Sequence, residues 1–410
     1  MLFIYNVFIN LIFFFSPLIV LVRLIKRKES LKRIKEKFGL RTKKRVSGNL
    51  IWFHGASVGE IQSIIPLIEK FEKNNKVNQI LVTSNTLSSS MVINQFKFKK
   101  TIHQFFPIDT NFISNKFLNY WKPSKAFFID SEIWPNTINN LSRKKIPINL
   151  LNGRITKKSF NRWLVISKFS KLIFGKFNLC LASSMESKNY LSKLGARNIK
   201  FFGNLKFSQS ENEVIYANKK LQKFIKSKKS WCASSTHFNE EKYCGITHLK
   251  LKKKFKDILT IIIPRHVNRV EQILDELDKL NLKVHLDSSR KQIEPNTDIY
   301  LVNSYGKTKS IYKVCKNIFI GGSLINHGGQ NPLEAARYGC NIFHGPYVSN
   351  FTEIYDYLDK IKISHKIKNK NYLFNVLSKK FNNKNYSLKL IKKLEFEGIK
   401  ILNKTYNQIY

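Results

Sequence analysis

Apolar residues fall into short runs separated by helical stretches along most of the chain, beginning near residue 49. Short, fully apolar runs between helices are typical of strands in a parallel sheet, because helices cover both faces of such a sheet. Ten strands are predicted in two series: 50–54, 79–83, 125–129, 147–151 and 178–182, then 231–234, 259–263, 298–302, 317–320 and 341–343. The fold class is therefore α/β, with two doubly wound, Rossmann-like domains and a break in the polar stretch near 207–225.

The end of the chain departs from this alternation. The tract 363–385 is rich in Lys and Asn, and we interpret it as solvated surface. A final helix is predicted around 387–403, because apolar residues there recur at helical spacing. They are Leu390, Ile391, Leu394, Ile401 and Leu402.

The longest apolar run lies at the start of the chain. Residues 2–22 carry no charge and have about the length of a helix that crosses a bilayer. Eight basic residues follow: Arg23, Lys26, Arg27, Lys28, Lys32, Arg33, Lys35 and Lys37. The positive-inside rule places this flank in the cytoplasm, and the sequence lacks the basic start and small-residue cleavage site of a signal peptide. We expect a membrane anchor within 1–25, with Asn6, Asn10 and Pro17 leaving open a tilted or partly inserted helix.

The net charge of +45 is extreme for 410 residues. An anionic surface, such as phospholipid or lipid phosphate, would explain it. Lysines are spread along the whole chain, however, so a composition bias toward lysine explains most of the charge equally well. No zinc-finger, RRM or KH signature is present, and no nucleic-acid partner is expected. The five cysteines form no C-x-x-C pair, so neither a metal site nor a disulfide framework is expected, and no cofactor.

The first candidate site follows the strand 50–54, in the segment 54–60 (HGASVGE). Ser57 and Glu60 have the spacing of a capping box, which would make Glu60 a structural residue. The alternative is that Glu60 acts as a general base. A carboxylate in the first turn of a helix has a lowered pKa, which would weaken Glu60 as a base.

Two further segments carry charged side chains at expected strand ends. Asp130 and Glu132 follow the strand 125–129, where they act as acid, base or electrostatic stabiliser, or else begin a helix with Pro135 in its first turn. Lys206 lies where the two series meet. It either stabilises the negative charge of a leaving phosphate or is one more surface lysine.

The second half of the chain has residues that suit phosphate. Arg265 ends the strand 259–263, and a guanidinium makes bidentate phosphate contacts. In the segment 321–334 (GGSLINHGGQNPLE), glycines flank a predicted helix start with Asn331 as N-cap, Pro332 at the first helical position and Glu334 as the capping return. Such helix starts bind phosphate or nucleotide sugars in many folds.

Taken in order, these segments closely resemble the family of Kdo transferases, which transfer 3-deoxy-D-manno-octulosonate (Kdo). The matching stretches are HGASVGE (54–60), DSEIWPN (130–136), LNGRITKKS (151–159), FGNLKF (202–207), SSTHFNEE (234–241), IPRH (263–266), GGSLINHGGQNPLEAA (321–336) and HGPYVSNF (344–351). The resemblance implies a glycosyltransferase of the GT-B type, with two Rossmann-like domains, an active cleft between them and no tightly bound metal.

The resemblance also implies substrates and a location. The enzyme would move Kdo from CMP-Kdo to a lipid A precursor, lipid IVA, with inversion, in lipopolysaccharide core biosynthesis at the cytoplasmic face of the inner membrane. One alternative is another GT-B glycosyltransferase with a different nucleotide sugar, such as a UDP-hexose. Another is a non-catalytic, membrane-attached protein kept for its basic surface, although the retained Glu60, Lys206, Arg265 and Glu334 speak against it.

The matching motifs imply roles for individual residues of this sequence. Glu60 would be the base, while Asp130 or Glu132, with Lys206, would stabilise the transition state. Donor contacts would come from Pro264, Arg265, Tyr305, Gly306, Lys307, Asn331, Pro332, Leu333 and Glu334. The acceptor region would include Ser57, Gly59 and Arg154. The implied domains are an acceptor domain at 26–206, a CMP-sugar domain at 207–385 and a C-terminal helix at 386–410 that packs back on the first domain.

The sequence departs from the family pattern at three places. Asp130 stands where relatives usually have Glu, which keeps the charge and shortens the reach. The segment 303–307 (NSYGK) normally reads like D-T-M-G-E, so Asn303 and Lys307 each replace an acid. Gln330 stands where the family usually has His. These changes are expected to alter the affinity for the donor, and the change at Lys307 is expected to alter it most.

Overall fold

In the computed structural model, residues 1–26, 29–209, 219–368, 370–382 and 388–410 are described. The chain forms two compact units: unit 1 is Met1–Ser210 with Glu397–Tyr410, and unit 2 is Glu211–Phe396. Each unit contains one seven-stranded sheet whose strands all pair in parallel. Helices connect the strands, so both units are Rossmann-like domains and the fold is of the GT-B type, as predicted.

In unit 1 the sheet has the order β3-β2-β1-β4-β5-β6-β7. Its strands are β1 (Leu50–His54), β2 (Gln79–Ser84), β3 (Thr101–Phe105), β4 (Lys125–Ile129), β5 (Ile148–Gly153), β6 (Leu179–Ala182) and β7 (Ile199–Phe201). Its helices are α1 (Leu2–Ile25), α2 (Val58–Glu72), α3 (Leu87–Asn94), α4 (Asn111–Trp121), α5 (Pro135–Arg143), α6 (Lys157–Val165), α7 (Ser167–Phe174) and α8 (Met185–Lys193), with 3₁₀ turns at Ile34–Phe38 and Leu205–Ser208. The strand order reverses between β1 and β4, which is where doubly wound sheets bind ligands.

The sequence explains why these elements form. Every residue of β1 and β2 is buried, as expected of strands covered on both faces. Five helices of unit 1 begin with a Ser or Thr whose hydroxyl accepts a hydrogen bond from the third helical residue, which satisfies an amide left free at the helix start. The capping residues are Ser57, Thr86, Thr110, Thr156 and Ser184.

In unit 2 the sheet has the order β10-β11-β9-β8-β12-β13-β14, so the reversal lies between β8 and β12. Its strands are β8 (Lys229–Thr236), β9 (Ile258–Pro264), β10 (Val284–Leu286), β11 (Ile299–Leu301), β12 (Asn317–Ile320), β13 (Asn341–His344) and β14 (Ser364–Lys366). The helices are α9 (Lys219–Ser227), α10 (Glu240–Lys252), α11 (Val270–Asp278), α12 (Thr308–Val314), α13 (Leu333–Arg337), α14 (Thr352–Lys360), α15 (Lys370–Asn382) and α16 (Leu388–Ile409), with a 3₁₀ turn at Val267–Arg269.

All ten predicted strands are present, and four more were not predicted: β3, β7, β10 and β14. The interpretation of 363–385 as solvated surface is wrong for its described part. β14 pairs with β13, and α15 places Leu373 and Leu377 in the hydrophobic core of unit 2. The predicted final helix at 387–403 is α16, which runs six residues further; residue 387 lies outside the described residues.

The last part of α16 belongs to unit 1 and packs on it. The ring of Tyr406 lies 5.0 Å from that of Phe71, and its hydroxyl accepts a hydrogen bond of 3.0 Å from the Asn74 amide. A side chain at Gly203 would meet Ile401 at 2.5 Å, so the helix approaches the 203–206 turn closely. The helix therefore supports that turn.

α1 is the one helix of the described ranges that is long and apolar enough to cross a membrane. Its first turns contact the core of unit 1 through Leu2 and Tyr5. The Tyr5 hydroxyl donates a hydrogen bond of 2.7 Å to the buried carboxylate of Asp109. Most of its remaining side chains are exposed.

Candidate active site

Glu60 lies in the first turn of α2, directly after the carboxyl end of β1. Both sequence interpretations of its position find support in its hydrogen bonds. The Ser57 hydroxyl caps the helix by accepting from the Glu60 amide at 3.4 Å, and it donates to Glu60 Oε1 at 2.7 Å. The other carboxylate oxygen accepts a hydrogen bond of 2.7 Å from the Ala56 amide. The carboxylate is thus fixed in place and half-buried.

Glu132 follows β4, the strand beside β1, and two side chains hold its carboxylate. Trp134 Nε1 donates to Glu132 Oε2 at 2.9 Å, and His54 Nε2 lies 3.2 Å from the same oxygen. On its other side, His54 Nδ1 lies 3.0 Å from the Thr83 hydroxyl. The imidazole is fully buried against Phe106, with the ring centroids 3.9 Å apart. His54 thus links the end of β1 to the carboxylate that follows β4.

Asp130 is buried at the end of β4 with a left-handed backbone, φ 59°, a conformation that non-glycine residues rarely adopt and that is often found at functional sites. Lys206 Nζ lies 3.4 Å from Asp130 Oδ2. The turn that carries Lys206 is held by Asn152 at the end of β5, whose side-chain oxygen accepts a hydrogen bond of 2.9 Å from the Leu205 amide. The structure therefore brings this ion pair to the carboxyl edge of the sheet.

The pKa of Glu60 is raised to about 7. Burial is the largest cause, and the negative charges of Glu132 and Asp130 add to it; the hydrogen bonds from Ser57 and Ala56 lower the pKa but do not outweigh burial. The expectation that the helix start lowers the pKa of Glu60 is therefore wrong, because burial among carboxylates dominates. A carboxyl group with a pKa near neutrality is suited to accept a proton.

The three residues assigned to the acceptor region lie around this edge. Ser57 is exposed beside Glu60. A side-chain carbon added at Gly59 would meet no atom within 4 Å, so the space over the helix start is open. Arg154 is half-buried, and its amide donates a hydrogen bond of 3.0 Å to the carbonyl of Asp130.

In unit 2 the strand order reverses between β8 and β12, and the buried carboxylate of Glu240 connects the ends of these two strands. It accepts hydrogen bonds from four backbone amides, which join the turn after β8 to the turn after β12. The donors are His237 (3.0 Å), Gly322 (2.6 Å), Ser323 (3.1 Å) and Leu324 (3.0 Å). The two turns approach so closely that a side chain at Gly321 would lie 2.4 Å from the carbonyl oxygen of Ser235.

A cluster of histidines lies against these turns. The rings of His237 and His327 are 4.0 Å apart, and Gln330 Nε2 lies 3.1 Å from His237 Nε2. Burial, together with the positive charges that His327, His266, Arg265 and Arg269 can carry, lowers the pKa of His237 to about 4. His237 is therefore neutral at pH 7, and its Nε2 accepts the hydrogen bond from the Gln330 amide.

Two of the predicted donor segments follow β9 and β12, the strands on either side of β8 in unit 2. Pro264 ends β9, and Arg265 after it is exposed, with its amide bonded to the carbonyl of Thr236 at 3.0 Å. The predicted helix start at Pro332 is wrong by one residue, because α13 begins at Leu333. The Asn331 side chain nevertheless accepts a hydrogen bond of 3.1 Å from the Leu333 amide.

Glu334 stands in the first turn of α13, half-buried, with Lys309 Nζ 3.9 Å from its carboxylate. The turn Tyr305–Lys307 lies just before α12, which also carries Lys309. Tyr305 is 71% exposed, but the Lys307 ammonium turns to Asp287 and pairs with it at 2.5 Å. That pair lines a pocket of about 810 Å³ with α9 and the β10–β11 connection.

The two remaining departures from the family pattern have local partners. Asn303 donates a hydrogen bond of 2.6 Å to the Ser288 hydroxyl, and Gln330 bonds His237 as described. Within the described parts of the chain, no group of three or more His, Cys, Asp or Glu side chains is placed to hold a metal ion.

Sequence reasoning missed three of the residues that build these edges: His54, Asn152 and Glu240. Each lies within a motif shared with the family, at 54–60, 151–159 and 234–241, but nothing in the motif itself indicates its role. These three residues have partners on other segments, Thr83, Leu205 and Leu324, which are 29 to 84 positions away in the chain. The only signal in the sequence is their position at the end of an apolar run or at the start of a helix.

Comparison with known proteins relates the chain to one family. The family model described as 3-deoxy-D-manno-octulosonic-acid transferase matches residues 32–209. A protein of *Rickettsia bellii* named 3-deoxy-D-manno-octulosonic acid transferase is 34% identical over 363 residues, which cover 88% of this chain and 86% of the relative. A probable mitochondrial 3-deoxy-D-manno-octulosonic acid transferase of *Arabidopsis thaliana* is 33% identical, with 86% of this chain and 82% of the relative covered.

Solved structures agree on the fold. The UDP-GlcNAc 2-epimerase of *Neisseria meningitidis*, bound to UDP-GlcNAc, superposes with a TM-score of 0.59 at 13% identity, covering 88% of this chain and 98% of that one. The trehalose-6-phosphate synthase OtsA superposes with a TM-score of 0.55 at 8% identity, covering 88% and 98%. At these identities the likeness concerns the fold alone.

Proposed function

Because this chain belongs to the 3-deoxy-D-manno-octulosonic acid (Kdo) transferase family of glycosyltransferases, we propose that it moves Kdo from CMP-Kdo to the lipid A precursor lipid IVA. The observation that carries the proposal is the half-buried carboxyl of Glu60, with a pKa of about 7, at the strand edge that also holds Asp130, Glu132 and Lys206. A group of this kind suits deprotonation of a sugar hydroxyl.

The proposed reaction is a single displacement. The acceptor hydroxyl oxygen forms a bond to the anomeric carbon of Kdo while the bond from that carbon to the phosphate oxygen breaks. CMP leaves with the electron pair of the broken bond, and Glu60 takes the hydroxyl proton. Attack opposite the leaving group inverts the anomeric centre.

The other charged groups are assigned to charge stabilisation and orientation. Lys206 lies 3.4 Å from Asp130, a distance at the long end of hydrogen bonding, so its ammonium also remains able to stabilise negative charge in the transition state. His54 and Trp134 fix the carboxylate of Glu132. Because this carboxylate is already in position, no free energy is needed to reorient it during the reaction.

Donor binding is assigned to unit 2. The exposed guanidinium of Arg265 suits the phosphate of CMP-Kdo, and the half-buried carboxylate of Glu334 suits the ribose hydroxyls. Pro264, Asn331, Pro332 and Leu333 shape the same strand ends. At the turn Tyr305–Lys307 the ammonium is paired with Asp287, so we assign the contact there to Tyr305 and Gly306 rather than to the Lys307 charge.

We further propose that the protein works at the cytoplasmic face of the inner membrane. The apolar helix α1 supports attachment, because its exposed apolar side chains are far more numerous than a protein surface in water usually carries. A lipid acceptor is also available only at a membrane. The location and the acceptor thus depend on each other.

The first experiment tests the donor. CMP should raise the melting temperature of the full-length protein, because a ligand that binds only the folded state stabilises it. Arg265→Ala and Glu334→Ala should remove most of that rise, while the matched exposed controls Arg197→Ala and Glu271→Ala should keep it. Stabilisation by UDP and not by CMP would favour a GT-B enzyme with another nucleotide sugar.

The second experiment tests the reaction. The protein is incubated with CMP-Kdo and tetraacylated lipid A precursor, and the lipid is weighed by mass spectrometry. The expected product is heavier by whole Kdo residues. An unchanged lipid from a protein that still binds CMP would contradict the proposed acceptor.

A further inference from the structure

The exposure pattern of α1 follows one stripe along its whole length. The residues of α1 that are buried or half-buried share one face of the helix, with a gap between Ile9 and Ser16. They are Leu2, Tyr5, Asn6, Ile9, Ser16, Val20, Arg23 and Leu24. A helix that touched its own protein only at one end would not show this stripe. α1 therefore lies along unit 1 from its first turn to its last.

Three contacts along the helix agree with this placement. At its start, the Tyr5 hydroxyl bonds Asp109, which is itself held by the amides of Asn136 and Thr137. At its middle, the ring of Phe13 lies 6.0 Å from that of Phe38. The start and the middle of α1 thus meet the same unit.

At its end, Arg23 pairs with Glu29 at 2.6 Å, and Lys37 pairs with the same carboxylate at 2.5 Å. The segment 29–38 that carries these partners is bound to β3. Glu36 accepts a hydrogen bond of 2.6 Å from the Phe105 amide, and Arg33 bonds the carbonyl of His103 at 3.1 Å. The last turn of α1 is therefore tied to the sheet of unit 1.

These contacts do not fit a helix that spans the bilayer. α1 is roughly 36 Å long at 1.5 Å per residue, and the hydrocarbon core is about 30 Å thick. A spanning helix would place Tyr5 and Arg23 on opposite sides of the membrane, whereas both contact unit 1. It would also place the exposed amide of Asn10 deep in the hydrocarbon, where polar groups are costly.

The opposite side of α1 is a broad apolar face. It is formed by Phe3, Ile4, Val7, Phe8, Leu11, Ile12, Phe14, Phe15, Leu18, Ile19, Leu21, Val22 and Ile25, all exposed. Three exposed lysines follow it: Lys26, Lys32 and Lys35. Apolar side chains beside basic ones match a bilayer surface with anionic headgroups.

We propose that α1 lies in the plane of the membrane, packed on unit 1 by one face and inserted into the anionic leaflet by the other. This inference rests on the membrane attachment given above and refines it from a spanning anchor to an in-plane one. It also explains why the sequence pattern indicates a span. The helix is apolar nearly all round because one face meets the protein and the other meets lipid.

The test measures depth along the helix in the full-length protein. Single cysteines are introduced by Phe3→Cys, Phe8→Cys, Phe14→Cys and Leu21→Cys, all at exposed positions, and labelled with a fluorophore. The five native cysteines are buried, so labelling is selective. Quenching by lipids brominated at different depths then reports each position in vesicles of phosphatidylcholine and phosphatidylglycerol. Met91→Cys, exposed on α3, is the control that stays in water.

All four positions should lie at one shallow depth, about 5–10 Å below the headgroups. A profile that is deepest at Phe14→Cys, with Phe3→Cys and Leu21→Cys near opposite surfaces, would overturn the proposal. Absence of quenching at all four positions would overturn it as well. Kdo transfer is assayed on the same samples. A uniform shallow depth without transfer would refute the proposed function and leave the in-plane helix standing.

Discussion

At the scale of single residues, Glu60 combines a structural role at a helix start with its proposed role as the base. Its backbone amide and Oε1 form a cap with Ser57, while Oε2 is held by the Ala56 amide. These bonds favour the charged form, but burial beside Asp130 and Glu132 favours the neutral one and prevails. The cap therefore orients the carboxyl, and burial among acids sets its affinity for protons.

Glu60→Gln separates the two roles. Gln keeps the size and the acceptor oxygen of the cap but cannot take a proton. Turnover should fall by about 10²–10⁴-fold, the usual worth of a general base, while CMP binding stays as in the parent. Steady-state kinetics and CMP titration measure this. Activity within a few-fold of the parent would show that Glu60 is only a cap, and Asp130 or Glu132 would be tested next.

The raised pKa of Glu60 also predicts a pH dependence. The base works only when ionised, so kcat/KM should rise with pH and level off above about 7. His237, whose pKa is lowered to about 4, cannot produce this limb. The pKa of Glu60 is 4.5 in the unfolded chain and about 7 in the folded protein. Between pH 4.5 and about 7 the folded state therefore binds more protons than the unfolded state, so the free energy of unfolding falls as pH rises. Urea unfolding at pH 5 and 8 should show a drop in stability that is smaller in Glu60→Gln, while the raised pKa of Asp109 still contributes to it in both proteins.

The sequence predicted the charged residues at this edge of the sheet, but it did not predict the residues that hold them in position. Glu60, Asp130 and Glu132 stand at expected strand ends and interact electrostatically, and Lys206, from the junction of the two strand series, pairs with Asp130. His54 had no signal beyond its position at the end of an apolar run, because its role depends on Thr83 of β2 and on Glu132 after β4. Contacts between distant segments are set by packing, which local patterns do not contain.

At the scale of elements, the four strands that the sequence did not predict are the four sheet edges: β3, β7, β10 and β14. An edge strand has a neighbour on one side only and need not be wholly apolar. The three residues of β7 and of β10 are at most half-buried, and β14 reads Ser-His-Lys. The apolar pattern that identifies interior strands is absent there, since burial produces that pattern.

The Glu240 carboxylate predicts a large effect from one substitution between elements. Glu240→Ala would leave four amides of the turns after β8 and β12 without their acceptor. Each unsatisfied buried donor is costly, so unit 2 should lose about 2–5 kcal/mol of stability. Urea unfolding measures this. Glu271→Ala, exposed on α11, is the matched control and should change stability by about 0.5 kcal/mol or less. Equal losses in both variants would contradict this role.

At the scale of the whole molecule, the proposed membrane attachment has two separate possible sources, the net charge of +45 and the apolar face of α1. Part of the basic segment that begins in the last turn of α1 is committed to the protein, since Arg23 and Lys37 pair with Glu29. Arg27 and Lys28 lie outside the described residues. General positive charge acts at a distance and is screened by salt, whereas apolar insertion is not.

Deleting residues 1–25 should separate these two contributions. The full-length protein should stay on anionic vesicles at about 0.5 M NaCl, where screening is strong. The shortened protein should bind at low salt and be released at high salt. Vesicle sedimentation measures both. Retention of the shortened protein at high salt would show that another apolar surface attaches it, and a circular dichroism spectrum of each protein checks that it is folded.

Residues 397–410 are synthesised after the whole of unit 2, although they belong to unit 1. Until these residues leave the ribosome, Gly203 cannot contact the side chain of Ile401, and the carbonyl of Phe207 cannot contact Gly398. The contact between Gly398 and this carbonyl is too close for a side chain at residue 398. The turn that carries Lys206 is therefore completed late in translation. A nascent chain therefore has the strands of both sheets, which end with β14, before it has a supported Lys206. With Lys206 in its proposed role, unfinished chains would consequently consume little nucleotide sugar.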